Sequence, residues 1–330
     1  MRGDGATDLP PSCGFLMRIL ITGGAGFIGS QIADAFLGAG HEVAVFDSFL
    51  SGRRENVAPQ VVVYKGDVAD AGAVERAFSE FQPEVVSHHA AQLDVRRSLA
   101  EPVYDAQINI LGSLHILQNA VRVGAKRFVF ASSGGAIYGD AEQIPTPESA
   151  PENPESPYGL TKRAFEGYLR IWQKNTGIIP VCLRYANVYG PRQSVEGEAG
   201  VVAVFAKRLL AGKPCTIFGD GTSSRDYTFV GDVVRANVLA LSGGDSGVWN
   251  IGTGVQTPIA RVYEEIRAAV GALNGREITT PALFEPMRAG EVVHSALDAT
   301  RAREGLSWEP RTDFAAGVRE TVEYLKRELG

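Results

Sequence analysis

Tyr158 and Lys162 are residues whose types and spacing could together do chemistry. They stand four positions apart in Pro157-Tyr-Gly-Leu-Thr-Lys162, so a helix that begins there brings both side chains to one face. A free tyrosine has a pKa of about 10, and a neighbouring ammonium group stabilises the phenolate, which favours use of the phenol as a base. Taken alone, this spacing is usually that of a packed tyrosine and a surface lysine. The surrounding sequence must therefore decide between this interpretation and a catalytic pair.

Two serine hydroxyls stand where a sheet would present them to a ligand. Ser132 and Ser133 follow an apolar strand predicted at residues 127–131. The carboxyl edge of a doubly wound sheet is the edge that binds ligands. A serine that simply ends a strand is an equally good interpretation.

A glycine-rich loop lies between a predicted strand at residues 18–22 and a predicted helix. Gly23, Gly26 and Gly29 follow the pattern Gly-x-x-Gly-x-x-Gly, which lets backbone approach a pyrophosphate beside the helix N-terminus. Asp47 ends the next strand, where a carboxylate can bind an adenosine ribose and would repel a 2′-phosphate. The loop therefore predicts a dinucleotide site that prefers NAD. Asp67-Val68 is either an adenine contact or an ordinary surface loop.

Strands and helices alternate along the first part of the chain. Further strands are predicted at residues 42–46, 61–64, 84–88 and 180–185, and helices at 71–81, about 104–123 and about 158–176. This alternation predicts a doubly wound α/β sheet over residues 17–186. Residues 187–330 are interpreted as a smaller second lobe, from which residues 226–252 return to the main sheet. Residues 1–16 are interpreted as a disordered extension.

Composition excludes several classes of function. The 330 residues carry a formal net charge of −6, which argues against a dedicated nucleic-acid binder. Cys13, Cys182 and Cys215 lack metal or disulfide spacing, so no metal is expected and a reducing, cytoplasmic setting fits. No apolar run reaches the length of a membrane span, so no membrane partner is expected.

The motifs together resemble the extended short-chain dehydrogenase/reductase family, specifically its NAD-dependent sugar-nucleotide epimerases and dehydratases. The resemblance spans residues 17 to about 329, and its combined motifs favour the catalytic interpretation of Tyr158 and Lys162. It implies a Rossmann-type doubly wound parallel sheet with a smaller C-terminal substrate lobe. The segments that carry it are Thr22-Gly-Gly-Ala-Gly-Phe-Ile-Gly29, His89-Ala-Ala91, Asn109, Ser132-Ser133, Ile137-Tyr-Gly139, Ser156-Pro-Tyr158, Arg184-Tyr-Ala-Asn-Val-Tyr-Gly-Pro-Arg192, Phe218-Gly-Asp-Gly221 and Arg225-Asp-Tyr227.

The resemblance implies a reaction and a cofactor site. Tyr158, as phenolate, would take the proton from the 4-hydroxyl of a UDP-hexose, giving a transient 4-keto sugar whose C4 is inverted. Lys162 would hold the nicotinamide ribose and lower the pKa of Tyr158. The residues implied to contact NAD are Gly23, Gly26, Phe27, Ile28, Gly29, Asp47, Ser51, Gly52, Asp67, Val68, His89, Ala90, Ala91, Asn109, Tyr158, Lys162 and Tyr185.

The resemblance also implies a substrate site for a UDP-sugar. Arg225 and Arg288 match positions that clamp a diphosphate, a task that suits guanidinium groups. Glu291 matches a carboxylate on the uridine ribose, and Phe218 would stack on the uracil. The backbone of Val201 and Val202 would read the edge of the base. The remaining substrate residues are Asn187, Ser133 and Tyr158.

The sequence departs from the family pattern at one catalytic position. Many relatives place the assisting serine or threonine four residues before the tyrosine of the Tyr-Gly pair, and here that residue is Gly134. Ser133 is the predicted replacement, with Ser132 as the second candidate. Ser295 stands where some relatives carry a bulky tyrosine, which predicts a roomy sugar site that accepts N-acetylated hexoses or uronates.

Rival functions follow from the same residues. UDP-glucose and UDP-galactose are the expected substrate pair, and a UDP-glucuronate 4-epimerase or decarboxylase is the alternative on the same scaffold. A non-catalytic NAD-binding sensor belongs to a different class. The helices at about 104–123 and 158–176 correspond to those that pair protomers in many relatives, so a homodimer is expected.

Overall fold

We describe the protein from a computed structural model, which covers residues 16–195, 200–243, 245–287 and 292–329. The predicted N-terminal extension at residues 1–16 lies outside this range except for Leu16. In chain order the strands are β1 (Arg18–Thr22), β2 (Glu42–Asp47), β3 (Val62–Lys65), β4 (Val85–His88), β5 (Arg127–Ser133), β6 (Ile179–Tyr185), β7 (Asn187–Tyr189), β8 (Thr216–Phe218), β9 (Ser224–Arg225), β10 (Tyr227–Phe229), β11 (Gly247–Ile251), β12 (Thr257–Pro258) and β13 (Leu283–Glu285).

Helices separate most of the strands. They are α1 (Phe27–Gly38), α2 (Ala71–Phe81), α3 (Val95–Ala100), α4 (Pro102–Ala106), α5 (Ser113–Arg122), α6 (Gly134–Tyr138), α7 (Pro157–Thr176), α8 (Val201–Leu210), α9 (Val230–Ser242), α10 (Ile259–Asn274), α11 (Thr300–Gly305) and α12 (Phe314–Leu329). A 3₁₀ turn spans Arg54–Asn56. A π-helical turn, Gln107–Gly112, joins α4 to α5, so the single helix predicted at about 104–123 is in fact interrupted.

Seven parallel strands form the large sheet in the order β11-β6-β5-β4-β1-β2-β3. The order reverses between β1 and β4, which leaves a crevice at their carboxyl ends beside Thr22 and His88. Ligands of doubly wound sheets bind at this kind of crevice. The predicted Rossmann-type fold is confirmed.

Apolar side chains of the strands lie on both faces of the large sheet. In β1, Leu20 lies in one core with Ala44 and Val86, whereas Ile19 and Ile21 lie in a second core on the opposite face. Such strands read as unbroken apolar runs, which is why the sequence predicted them. β5 continues two residues beyond its predicted end, so Ser132 and Ser133 lie within the strand rather than after it.

A separate core builds the small lobe. It packs α8, α10 and α12 around residues that include Phe205, Ile266 and Val322. Three short strand pairs, β7 with β10, β8 with β13 and β9 with β12, carry its loops. After β10 the chain runs through α9 and re-enters the large sheet as β11, beside β6. In the part of the chain that the structure describes, no helix is long and apolar enough to span a membrane.

Candidate active site

Tyr158 and Lys162 lie in the first turns of α7. Ser156 caps the helix, its hydroxyl accepting the Gly159 backbone N–H at 3.1 Å, and Pro157 begins it with a favourable backbone angle. Lys162 is buried, and its Nζ donates to the Ala131 carbonyl at 2.9 Å. Nζ also lies 5.8 Å from the centre of the Tyr158 ring. The helix thus fixes both groups beside the end of β5.

Ser132 and Ser133 face in different directions because side chains alternate along a strand. Ser132 is buried, and its Oγ donates to Glu166 Oε1 at 2.5 Å. Ser133 instead hydrogen-bonds to the Tyr158 side chain. The structure therefore brings Ser133 to the tyrosine and engages Ser132 elsewhere.

The pKa of Tyr158 lies above its ordinary value, mainly because the hydroxyl is buried. Loss of water around the hydroxyl raises this pKa to about 12, the hydrogen bond with Ser133 lowers it, and the charge of Asp105 raises it. Burial lowers the pKa of Lys162 to about 8, against the charges of Asp105 and Glu166. In the structure the Lys162 ammonium group donates to the Ala131 carbonyl, and a lowering of the Tyr158 pKa by Lys162 stays a prediction.

The glycine loop after β1 leaves no room for side chains. Gly23 has a φ of +68°, and a Cβ on Gly29 would lie 2.3 Å from the Gly23 carbonyl oxygen. The Gly26 N–H donates to that same oxygen at 3.1 Å. α1 begins at Phe27, with Ile28 next, so the helix N-terminus faces the loop. Backbone amides and a positive helix end therefore converge, as an anion site requires.

The loop after β4 is tied to the glycine loop. The Thr22 hydroxyl oxygen accepts the N–H groups of His89 and Ala90, each at 3.2 Å. A Cβ on Gly23 would lie 2.7 Å from the Ala90 nitrogen. The predicted cofactor residues His89, Ala90 and Ala91 thus flank the crevice opposite the glycines.

Asp47 fixes the far side of the glycine loop. Its carboxylate accepts the Ala25 N–H at 2.9 Å and the Phe49 N–H at 2.8 Å. Gly52 lies against Asp47 and Ala25, where a Cβ would be 2.9 Å from Asp47 Oδ1, and Ser51 is exposed beside it. The carboxylate is therefore placed at the end of β2, where the sequence predicted it.

The other predicted cofactor residues differ in how they are engaged. Asp67 Oδ1 accepts the Ala69 N–H at 2.9 Å, and Val68 is buried. Asn109 holds the Gln92 backbone, since its Oδ1 accepts the N–H and its Nδ2 donates to the carbonyl, each at 2.9 Å. The Tyr185 hydroxyl accepts from Asn237 Nδ2 at 2.8 Å and lies 3.2 Å from His89 Nε2.

The predicted substrate residues lie on the small lobe. The exposed Asn187 is placed by β7, and its N–H donates to the Asp226 carbonyl at 2.9 Å. Arg225 is half-buried on β9, and its Nη1 donates to the Ser224 and Val293 carbonyls. Phe218 ends β8 and is half-buried.

The remaining predicted substrate residues lie at the start of α8 or outside the described residues. Val201 begins α8, followed by the buried Val202. Arg288 and Glu291 lie outside the described residues.

Sequence reasoning missed a buried polar network behind the site. Arg184 is almost fully buried on β6, and its guanidinium donates to Glu166 at 3.0 and 2.6 Å and to the Tyr138 hydroxyl at 2.8 Å. It also pairs with Glu152. The signal was available, because an arginine interrupts an otherwise apolar strand.

Leu297 explains the glycine at the departing position. A Cβ on Gly134 would lie 2.5 Å from Leu297 Cδ1, and Leu297 is itself buried. Ser295 Oγ lies 4.0 Å from the place of a Cβ on Gly135. The segment that contains Ser295 and Leu297 therefore covers the Gly134–Gly135 turn, next to Ser133. Among the described residues, no cluster of three or more acidic, histidine or cysteine side chains is arranged to hold a metal.

Known proteins resemble the chain over almost all of its length. The sequence matches the NAD dependent epimerase/dehydratase family over residues 19–252. It is 43% identical over 320 residues to a UDP-glucose 4-epimerase of Mycolicibacterium smegmatis, covering 94% of this chain and 99% of that protein.

Two solved structures are similar to this one. The first is a UDP-glucose 4-epimerase with UDP-glucose from Thermotoga maritima, with a TM-score of 0.92, 44% identity and coverage of 95% of this chain and 100% of that one. The second is a Thermus thermophilus UDP-glucose 4-epimerase in complex with NAD, with a TM-score of 0.88, 42% identity and coverage of 94% and 99%.

Proposed function

The chain belongs to the NAD dependent epimerase/dehydratase family, and from this premise we propose that it is an NAD-dependent UDP-hexose 4-epimerase. UDP-glucose and UDP-galactose are the leading substrate pair. One observation carries the proposal: Tyr158, with Ser133 on its hydroxyl and Lys162 beside it, lies at the same carboxyl edge of the sheet as the glycine loop. The named relatives cover both lobes, so the likeness extends to the substrate side.

NAD is the cofactor of this family, and the residues present fit it. Gly23 and Gly29 let the backbone of the loop pack closely at the start of α1, which supplies amide donors and a positive helix end for a pyrophosphate. Asp47 stands where a carboxylate binds the adenosine ribose. When bound, NAD supplies a reversible acceptor for the hydrogen and electron pair at C4 of the sugar.

The chain's own groups move the proton. Tyr158 takes the proton of the sugar 4-hydroxyl and returns it after the keto sugar has turned over. Ser133 donates to the phenolate oxygen or to the sugar oxygen, and Lys162 holds the nicotinamide ribose. Because burial raises the pKa of Tyr158 to about 12, the phenolate needs further positive charge; Lys162 provides part of it, and bound NAD would add to it.

The small lobe holds the nucleotide. Arg225, together with Arg288, binds the diphosphate, and Phe218 stacks on the uracil. Glu291 binds the uridine ribose. The backbone of Val201 and Val202 reads the base, and Asn187 lies near the sugar and diphosphate. Anchoring the diphosphate firmly leaves the keto sugar free to rotate.

Substrates with a larger group on the sugar are a second candidate. Ser295 is a small side chain where the family resemblance places a bulky tyrosine in some relatives, which supports entry of N-acetylated hexoses. A panel of UDP-glucose, UDP-galactose, UDP-glucuronate and their N-acetylated hexosamine counterparts, with products identified by NMR, separates these activities. Interconversion of only the first two would contradict the wider range, and conversion of only UDP-glucuronate would favour the alternative.

A homodimer is part of the proposal. Five large apolar side chains on α3, α4, the π-helical turn and α7 are each more than half exposed: Leu99, Val103, Leu111, Leu160 and Ile171. Clustered exposed apolar groups mark interaction surfaces. Light scattering of the purified protein should give twice the chain mass, and a monomer at micromolar concentration would contradict this part.

Substitution of the tyrosine tests the proposed function. Tyr158→Phe should lower kcat by ~100-fold or more while the Kd for UDP stays unchanged, since only the proton-transferring group is lost. Tyr168→Phe on the same helix is the matched control and should leave turnover intact. Unchanged turnover in Tyr158→Phe would remove Tyr158 as the base. Parent protein that forms no reduced cofactor with any UDP-sugar would point to the sensor.

A further inference from the structure

Asp105 is a fully buried carboxylate that neither the motifs nor the proposed roles include. It lies on α4, two residues before the start of the π-helical turn. Its Oδ1 accepts from Gln92 Nε2 at 2.9 Å and from Asn109 Nδ2 at 3.0 Å. Its Oδ2 accepts from the Thr161 hydroxyl at 3.1 Å. All three donors are uncharged, so none of these contacts is an ion pair.

Thr161 connects Asp105 to the candidate catalytic helix. Its hydroxyl lies 2.9 Å from the Tyr158 carbonyl as well as 3.1 Å from Asp105. Thr161 also directly precedes Lys162 in α7. Burying an acidic side chain costs free energy, even when it is hydrogen-bonded, so an aspartate at this place points to an electrostatic use.

We propose that Asp105 is a positioning residue whose fixed negative charge keeps Lys162 in its ammonium form and sets the pH range in which Tyr158 and Lys162 work. The inference rests on the proposed function of that pair. It assigns no contact between Asp105 and either substrate or cofactor.

The charges around Lys162 support this assignment. Asp105 from α4 and Glu166 from α7 both raise its pKa against the effect of burial. His88 and His89 face it from the end of β4, and burial lowers the pKa of both, so both are neutral near pH 7. Glu166 is already paired with Arg184. Asp105 is therefore the facing carboxylate whose charge no guanidinium offsets directly.

The same charge acts on Tyr158 in the same direction. Asp105 raises the pKa of the phenol, whereas the hydrogen bond with Ser133 lowers it. Loss of the Asp105 charge should therefore lower the pKa of both groups. The whole pH profile of kcat would therefore move to lower pH, whereas a purely structural role would lower only its maximum.

Asp105→Asn removes the charge and can keep every hydrogen bond. The amide oxygen can accept from Gln92 and Asn109, and the amide nitrogen can donate to the Thr161 oxygen while that hydroxyl donates to the Tyr158 carbonyl. We expect both limbs of the pH profile of kcat to move down by roughly one unit. Asp105→Glu should restore the parent profile. Asp94→Asn, at the N-cap of α3, is the control and should leave the profile in place.

A direct titration separates this inference from the proposed function. The near-ultraviolet absorbance of tyrosinate is followed against pH in the cofactor-loaded protein, with the Tyr158→Phe variant subtracted. In Asp105→Asn the Tyr158 transition should move down by a similar amount, even if turnover is lost. If the Asn variant does not fold, Asp105→Ser, with water at the same donors, carries the same expectation. A neutral variant with lower kcat but unmoved limbs and titration would overturn the inference and leave Tyr158 as the base.

Discussion

The crevice at the sheet edge and the nucleotide-binding surface of the small lobe hold their residues by different means. At the crevice, strand pairing fixes Thr22 opposite His88, and backbone-to-backbone contacts place Gly29 against Gly23. On the small lobe, Phe218 and Arg225 stand on strands of three and two residues. β13, the partner of β8, is exposed along its length.

On the lobe side, a single buried carboxylate holds the loops together in place of strand pairing. Asp226 accepts the N–H groups of Thr253, Gly254 and Leu297 at 2.9 to 3.2 Å. Three segments distant in sequence therefore meet at one side chain. The difference teaches that strand pairing and backbone contacts fix the crevice, whereas the lobe depends on side-chain contacts between distant segments.

The largest effect is expected on the free energy of unfolding, when a buried ion pair of the sheet domain is compared with an exposed ion pair of the lobe. Glu166→Gln breaks the pairing with Arg184 and leaves a buried guanidinium undercompensated, which should cost about 3–5 kcal/mol of unfolding free energy. Glu264→Gln removes the exposed pair with Arg267 on α10 and should cost less than about 1 kcal/mol. Denaturant unfolding of both variants measures the difference. Equal losses would show that burial does not distinguish the two regions.

The next prediction concerns the glycine loop. Gly29→Ala places a Cβ 2.3 Å from a backbone oxygen that cannot move alone, at a cost of about 3 kcal/mol. If this strain falls on the cofactor-binding conformation, the Kd for NAD rises ~100-fold. Gly38→Ala, exposed at the other end of α1 with nothing within 4 Å, should instead stabilise the protein by about 0.5–1 kcal/mol. Titration calorimetry with NAD and thermal unfolding check both. Normal NAD affinity in Gly29→Ala would mean that the loop is more adaptable than the sheet beneath it.

The sheet domain was predictable because its signals are local. Each signal is contained in a short stretch of sequence. The signals are the apolar run of β1, the spacing of the glycines after it, and the amphipathic pattern of residues 71–81, which form α2. The π-helical turn was not predictable, since local periodicity does not encode it. On the lobe, Arg225 and Phe218 entered only through the family resemblance.

The catalytic details were partly out of reach for a physical reason. Ser132 and Ser133 are neighbours of one type, and only the strand pleat directs one to Glu166 and the other to Tyr158. The pKa of Tyr158 depends on burial and on Asp105, more than fifty positions away in sequence, so the local motif does not reveal either effect. Whether the residues act as proposed stays a prediction.

The smallest expected effect arises where the two regions meet. Gly134→Ser restores the hydroxyl that many relatives carry, but its Cβ would lie 2.5 Å from Leu297 Cδ1. Overpacking of this kind should cost about 1–2 kcal/mol and disturb the turn beside Ser133, lowering kcat a few-fold. Combining it with Leu297→Ala should relieve the clash, so the double variant should turn over faster than Gly134→Ser alone, although Leu297→Ala by itself leaves a cavity. Steady-state kinetics and thermal unfolding of the three variants close the cycle. If the effects of the two substitutions on kcat and stability are purely additive, Leu297 is not the reason for a glycine at position 134. The lobe would then constrain the Gly134–Gly135 turn less than its contacts indicate.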